Sequence, residues 1–84
     1  MKTLPELGQA VADHRKLLKL QQGHVAAQAG ITQESLSRFE HGQLSEFGTR
    51  KLLAVLAVLG LELSFAKIGT AGTLDELRRE RGGA

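Results

Sequence analysis

The sequence predicts a mainly α fold, a bundle of four or five short helices with one C-terminal β-strand. Two observations favour helices: apolar residues recur at helical spacing through most of the chain, and glycines separate these stretches. The strand rests on a third observation, the alternation of apolar and polar residues over 61–68. A length of 84 residues suits one domain. We expect this domain to cover residues 1–68 and to be followed over 69–84 by a linker and a short tail helix.

Local signals at their ends predict the first two helices. Thr3 is a good N-cap, so the first helix should begin there and continue to about Lys19. A second, shorter helix should begin at Gln21 or Gln22. Gly30 should end it in the left-handed conformation.

The next two helices follow from the same kinds of signal. Thr32 caps a third helix, which should end at Gly42. A polar loop then offers Leu44 and Phe47 as anchors to the core. The fourth helix, over about 49–59, is apolar nearly all round, so we expect it to be the most buried element.

The C-terminal strand predicts a dimer. Leu61, Leu63 and Phe65 alternate with polar residues, yet no other segment has a strand pattern. An isolated strand would leave its backbone groups unpaired, so the simplest partner is the same strand of a second copy about a two-fold axis. We therefore place the homodimer interface at these three residues. The alternatives are that the segment stays unpaired or adds to another protein's sheet.

Composition excludes several classes of function. The absence of Cys excludes disulfides and thiolate metal sites, and the scattered histidines have no acidic cluster beside them, so we expect no metal or other cofactor. No nucleophile, acid pair or phosphate loop stands out, so we expect no catalytic residue and no enzyme. The apolar run over 52–59 is too short to span a bilayer, and the N-terminus lacks a signal-peptide pattern. We expect no membrane partner and a cytoplasmic location.

Residues 22–42 have the layout of a helix-turn-helix: a short helix, a tight turn with glycine, and a second helix. The second helix presents a polar outer face of Gln, Glu, Ser and Arg. Such a face fits a major groove of DNA, where amide and guanidinium groups read base edges in pairs. The simpler alternatives are a solvated surface, on which Arg38 only pairs with Glu34, and an Arg50 that pairs with Glu46.

The stretch LQQGHVAAQAGITQESLSRFEHG over 20–42 resembles the phage-repressor/Cro-like, or Xre, helix-turn-helix family. The residues that match the family pattern are Leu20, Gln22, Val25, Ala26, Ala29, Gly30, Ile31, Thr32, Ser37, Arg38, Phe39, Glu40 and Gly42. The segment EFGTRKLLAVLAVLGLELSF, with the TLDEL tail, is similar to the HipB-type antitoxin and regulator branch. Two departures are Lys19, where the family usually has Gly, and Gly23 inside the second helix.

The resemblance implies roles for individual residues. It places DNA base contacts at Gln33, Glu34, Ser37 and Arg38, and DNA backbone contacts at Gln22, Ser35, Gln43, Arg50 and Lys51. It also implies that Gln22 braces Gln33. A structural ion pair between Arg15 and Glu40 would tie the first helix to the third.

The function implied is a sequence-specific, double-stranded DNA-binding transcriptional repressor that binds a palindromic operator as a homodimer, associated with the nucleoid. The HipB-like branch adds a possible cognate toxin as partner, which would make the chain the antitoxin and autoregulator of a toxin-antitoxin pair. The alternative is a toxin-neutralising or other protein-interaction module that has lost DNA binding. Glu34 and Glu46, near the DNA-facing surface, favour this alternative.

Overall fold

The computed structural model describes residues 1–68, which contain four α-helices and confirm the mainly helical prediction for this part of the chain. The helices are α1 Leu4–Leu17, α2 Gln22–Ala29, α3 Gln33–Glu40 and α4 Thr49–Val58. The linker and short tail helix predicted over 69–84 lie outside the described residues.

The helices begin in two different ways. The Thr3 and Thr32 hydroxyls each accept a hydrogen bond from the backbone N–H three residues later, over 3.2 and 3.0 Å, which caps α1 and α3 as predicted. Gln21 and Gly48 precede α2 and α4, and neither helix has a side-chain cap hydrogen bond. The N–H groups in the first turns of α2 and α4 are therefore left for other partners.

All four helices end in the same hydrogen-bonding pattern, the Schellman motif, in which one residue takes a left-handed conformation. That residue is Gly30 after α2, Gly42 after α3 and Gly60 after α4, with φ of 74°, 69° and 74°. The N–H of the next residue donates back to a carbonyl five positions earlier. These bonds are Leu20 to Arg15, Ile31 to Ala26, Gln43 to Arg38 and Leu61 to Leu56, over 3.2, 3.0, 2.9 and 2.8 Å.

Lys19 takes the left-handed position after α1, with φ of 59°. A side chain with a Cβ is strained there, which explains why glycine occupies the equivalent place after the other helices. The prediction that α1 continues to about Lys19 is too long, because the regular helix ends at Leu17.

The core lies where α3 packs against α1 and α2, and where α2 packs against α4. Its buried apolar residues are Val11, Val25, Ala26, Leu36, Phe39, Val55, Leu56 and Leu59. The loop before α4 is anchored as predicted: Leu44 packs on this core, and the Phe47 ring stacks on Phe39 with centroids 4.1 Å apart. The prediction that α4 is the most buried element is wrong for its outer face, where Leu53 is 46% exposed.

Gly8, which the sequence did not single out, sets the distance between α1 and α3. A Cβ added to this buried residue would lie 2.0 Å from the backbone carbonyl oxygen of Phe39. The two helices therefore approach so closely that a side chain larger than hydrogen has no space. This contact positions the start of α1 against the end of α3.

Residues 61–67 have no regular secondary structure in the single chain, so the predicted strand does not form within one copy. Leu61 turns back onto the core, whereas Leu63 is 47% and Phe65 100% exposed. Met1, Leu4 and Leu7 face this segment across a cavity of about 690 Å³. Pairing of the strand with a second copy stays a prediction.

Candidate nucleic-acid interface

A buried ion pair ties the two-helix unit to α1. Arg15 donates from Nε and Nη2 to the two carboxylate oxygens of Glu40, over 2.8 and 2.9 Å. The side chains are 11% and 3% exposed, respectively. Arg15 Nη1 also donates to the Leu20 carbonyl over 2.9 Å. One guanidinium thus joins α1, the turn before α2 and the end of α3, and it holds the orientation of α3.

The Arg15 guanidinium of this pair stays charged at physiological pH. The hydrogen bonds that Arg15 donates to Glu40 raise the pKa of its guanidinium above the ordinary value, burial lowers it, and the carboxylate charge raises it further. A raised pKa of a cation means that its stabilisation is complete below the ordinary pKa and is lost only as pH rises through the raised one. Since arginine is ordinarily protonated far above neutral pH, physiological pH changes do not remove the charge of Arg15.

Gln22 is hydrogen-bonded to the same ion pair. Its side-chain Nε2 donates to Glu40 Oε1 over 2.9 Å, so the half-buried amide is held inside the unit. The brace from Gln22 to Gln33 that the family resemblance implies is not formed in the described residues. Gln33 lies instead over Gly23, where an added Cβ would be 3.1 Å from Gln33 Oε1.

The outer face of α3 collects the predicted base-contacting residues. Leu36 and Phe39 are buried, and helical periodicity turns Gln33, Glu34 and Arg38 outward, where all three are exposed. The other two residues assigned to this helix, Ser35 and Ser37, are half-buried at its sides. The helix therefore presents amide, carboxylate and guanidinium groups together on one solvent-facing surface.

Glu34 and Arg38 form an ion pair along that face, from Glu34 Oε1 to Arg38 Nη2, one helical turn apart. Their side chains are 69% and 56% exposed. An exposed pair of this kind contributes little to folding, about 0.3–0.5 kcal/mol. It matters for what α3 presents to a ligand, since a donor and an acceptor are held side by side.

His41 is exposed at the C-terminal edge of the same surface and was not among the predicted site residues. Its Nδ1 lies 2.7 Å from the Ser37 backbone oxygen and 3.4 Å from Ser37 Oγ. Because a carbonyl oxygen only accepts, Nδ1 carries the proton and Nε2 is the ring's other nitrogen. The spacing of four residues from Ser37 on a helix was the available signal.

Three of the residues predicted to contact the DNA backbone follow α3 in the chain. Gln43, Arg50 and Lys51 are exposed. Arg50 and Lys51 occupy the first turn of α4, whose N–H groups have no side-chain cap. Among the ion pairs of residues 1–68 none joins Arg50 to Glu46. Both charges therefore lie beside a helix N-terminus that itself favours an anion.

Other kinds of site find no support within residues 1–68. No cluster of His, Asp or Glu in this range has a geometry that could hold a metal ion. None of the helices there has the length and apolar character needed to cross a membrane.

A short helix, a left-handed glycine and a second helix with an exposed polar face together define a helix-turn-helix DNA-binding domain. A family model described as a helix-turn-helix domain matches residues 2–66, and the chain belongs to that family. No curated protein matches the chain significantly.

Proposed function

We propose that this chain is a sequence-specific transcriptional repressor that binds a palindromic operator as a homodimer. The single observation behind the proposal is the exposed face of α3 with Gln33, Glu34 and Arg38, held at a fixed angle by the buried Arg15–Glu40 pair. A side-chain face held in this way can enter the major groove without ordering itself first, which lowers the entropic cost of binding.

The side chains divide into base readers and backbone contacts. Gln33 offers the donor and acceptor that adenine needs, and Arg38 offers two donors to guanine. We also assign base contacts to Glu34 and Ser37. Backbone contacts come from Ser35, Gln43, Arg50, Lys51 and the uncapped first turns of α2 and α4. Gln22 contributes through the start of α2, because its side-chain amide is held by Glu40.

Measurement of duplex binding tests this function. Operators are selected from a randomised duplex pool, and affinity is measured by fluorescence anisotropy over a salt series. Gln33→Ala and Arg38→Ala should each cost about 1–3 kcal/mol on the selected site. Gln9→Ala is the matched control, because the exposed Gln9 amide donates to Asp13 within α1. If no duplex is enriched, or if both α3 variants bind like the wild type, DNA recognition by α3 is refuted.

The dimer proposal rests on residues 61–68. Phe65 and Ile68 are 100% and 78% exposed in the single chain, and burial of such apolar groups stabilises association. Antiparallel pairing of two copies would place Leu61, Leu63 and Phe65 at the interface. Two recognition helices about 34 Å apart then read half-sites one helical turn apart.

Sedimentation at micromolar concentration tests the dimer. Leu63→Pro removes a backbone donor from the paired segment and should yield monomers with a large loss of operator affinity. Leu17→Ser is the control, since Leu17 is an exposed leucine on α1, at 74%. A wild type that is already monomeric, together with full operator binding by Leu63→Pro, would refute the proposal.

The HipB-like resemblance supports a second role, antitoxin to a cognate toxin, in the cytoplasm and at the nucleoid. The exposed apolar side chains of Leu63, Phe65 and Ile68 suit addition to a partner's sheet. The competing function is a protein-interaction module without DNA binding, favoured by the acidic Glu34 on α3. Co-purification with the product of a neighbouring reading frame tests the toxin partner, and salt-dependent operator binding separates the two functions.

A further inference from the structure

We propose that Glu34 and Arg38 act as one recognition unit that selects a single G·C base pair, with Arg38 on the guanine and Glu34 on the cytosine amino group. This inference rests on the proposed DNA-binding function and specifies what one position of α3 reads. The ion pair is then part of the binding surface and does not have to break before DNA binds.

The geometry makes the two side chains a unit. They lie one turn apart on the outer face of α3 and are joined from Glu34 Oε1 to Arg38 Nη2. Both remain more than half exposed, so the second carboxylate oxygen and the remaining guanidinium donors are accessible while the pair is intact. The tip of the pair therefore presents acceptor and donors in a row.

The G·C edge in the major groove is complementary to that row. Cytosine presents the N4 amino donor, and guanine presents the O6 and N7 acceptors next to it. The carboxylate of Glu34 accepts from N4 while the guanidinium of Arg38 donates to O6 and N7. An A·T pair has the order acceptor, donor, acceptor, so the same row cannot match it with both side chains paired.

Glu34 also disfavours binding to other base pairs. Against a base pair without a donor at that place, its carboxylate faces acceptor atoms and the phosphate charge, and it loses water without gaining a hydrogen bond. Arg38 alone would prefer guanine but would still bind other duplexes through its charge. The pair should therefore bind less non-specific DNA than Arg38 does without Glu34.

The experiment uses the full chain and its selected operator. Each base pair is substituted in turn, and the position that affects the wild type but not Arg38→Ala is the one that depends on Arg38. At that position the cytosine is replaced by an analogue lacking the N4 amino group, and in a second duplex the guanine is replaced by 7-deazaguanine. Each analogue should weaken wild-type binding by about 5- to 150-fold. Glu34→Ala should no longer respond to the cytosine analogue, should bind non-specific duplex more tightly, and should still respond to 7-deazaguanine.

Gln33→Ala is the matched control from the same face, and it should lose affinity while keeping the wild-type response to both analogues. The inference is overturned if Glu34→Ala still loses as much affinity as the wild type on the cytosine analogue, or if the wild type ignores that analogue. If the wild type enriches no duplex at all, the proposed function fails as well. If Glu34→Ala binds the operator tightly and keeps the base preference of the wild type, the recognition unit is refuted but the proposed DNA-binding function is not.

Discussion

Replacement of Glu40 by alanine tests how much the Arg15–Glu40 ion pair stabilises the fold. The carboxylate accepts hydrogen bonds from Arg15 Nε, Arg15 Nη2 and Gln22 Nε2 at 2.8, 2.9 and 2.9 Å, and its side chain is 3% exposed. The variant leaves the Arg15 charge with the Leu20 carbonyl as its partner and leaves the Gln22 amide without its acceptor. The change therefore uncovers a buried cation instead of simply deleting a contact.

The expected loss is about 3 kcal/mol, because removal of one partner of a buried ion pair costs about 3–5 kcal/mol and the 11% exposure of Arg15 gives water some access. In a domain of this size 1 kcal/mol shifts Tm by about 4–8 °C, so Tm should fall by about 12–24 °C. Thermal and urea unfolding followed by helical circular dichroism measure both quantities.

Two further variants separate the charge from the shape. Glu40→Gln keeps the volume and one carbonyl acceptor, so it should cost less, about 1–2 kcal/mol. In an Arg15→Ala background, Glu40→Ala should cost far less than in the wild type, since the uncompensated cation is gone. The Arg15–Glu40 pair does not stabilise the fold if Glu40→Ala melts within about 2 °C of the wild type. The same conclusion follows if Glu40→Ala lowers the free energy of unfolding equally in the wild-type and Arg15→Ala backgrounds.

Other predictions concern backbone positions. Gly8→Ala should lower the free energy of unfolding by about 3 kcal/mol or more, because the added Cβ would lie 2.0 Å from the Phe39 backbone oxygen and no flexible side chain can move to relieve the clash. A urea-unfolding midpoint equal to that of the wild type would contradict this. Lys19→Gly should stabilise by about 0.5–1 kcal/mol by relieving φ of 59°, and a lower Tm would argue against strain there. Gly23→Ala should stabilise the fold by up to about 1 kcal/mol, because alanine favours a helix more than glycine does. It should also weaken operator binding, because the added Cβ would lie 3.1 Å from Gln33 Oε1 and displace that side chain. Unchanged operator affinity would show that the position of Gln33 is unimportant.

The helix ends were predictable because their signals are local. A threonine hydroxyl that caps a helix reaches a backbone N–H three residues away, and a glycine that ends one satisfies the last carbonyls within the same turn. Lys19 takes the left-handed position after α1, where the other three described helices have glycine, and the strain there appears only in the backbone angle.

The exposed face of α3 was also predictable. Once Leu36 and Phe39 are assigned to the core, helical periodicity turns Gln33, Glu34 and Arg38 to the solvent, as the structure has them. The strand over 61–68 was a different kind of inference. Alternation indicates an extended backbone, but a strand needs a partner, and one chain contains none in its described residues.

The amino-acid sequence by itself determined the succession of helices, the threonine caps of α1 and α3, the glycine ends of α2, α3 and α4, and the polar face of α3. Each of these depends on residues within a few positions of one another. Only the tertiary structure decided that Gln22 donates to Glu40, that Gln33 lies over Gly23 and that Gly8 must lack a side chain. These contacts join residues distant in the chain, and several partners of similar chemistry compete for each polar group. The crossing of the helices selects among those partners, since a hydrogen bond or a steric clash depends on tenths of an ångström that no local pattern specifies.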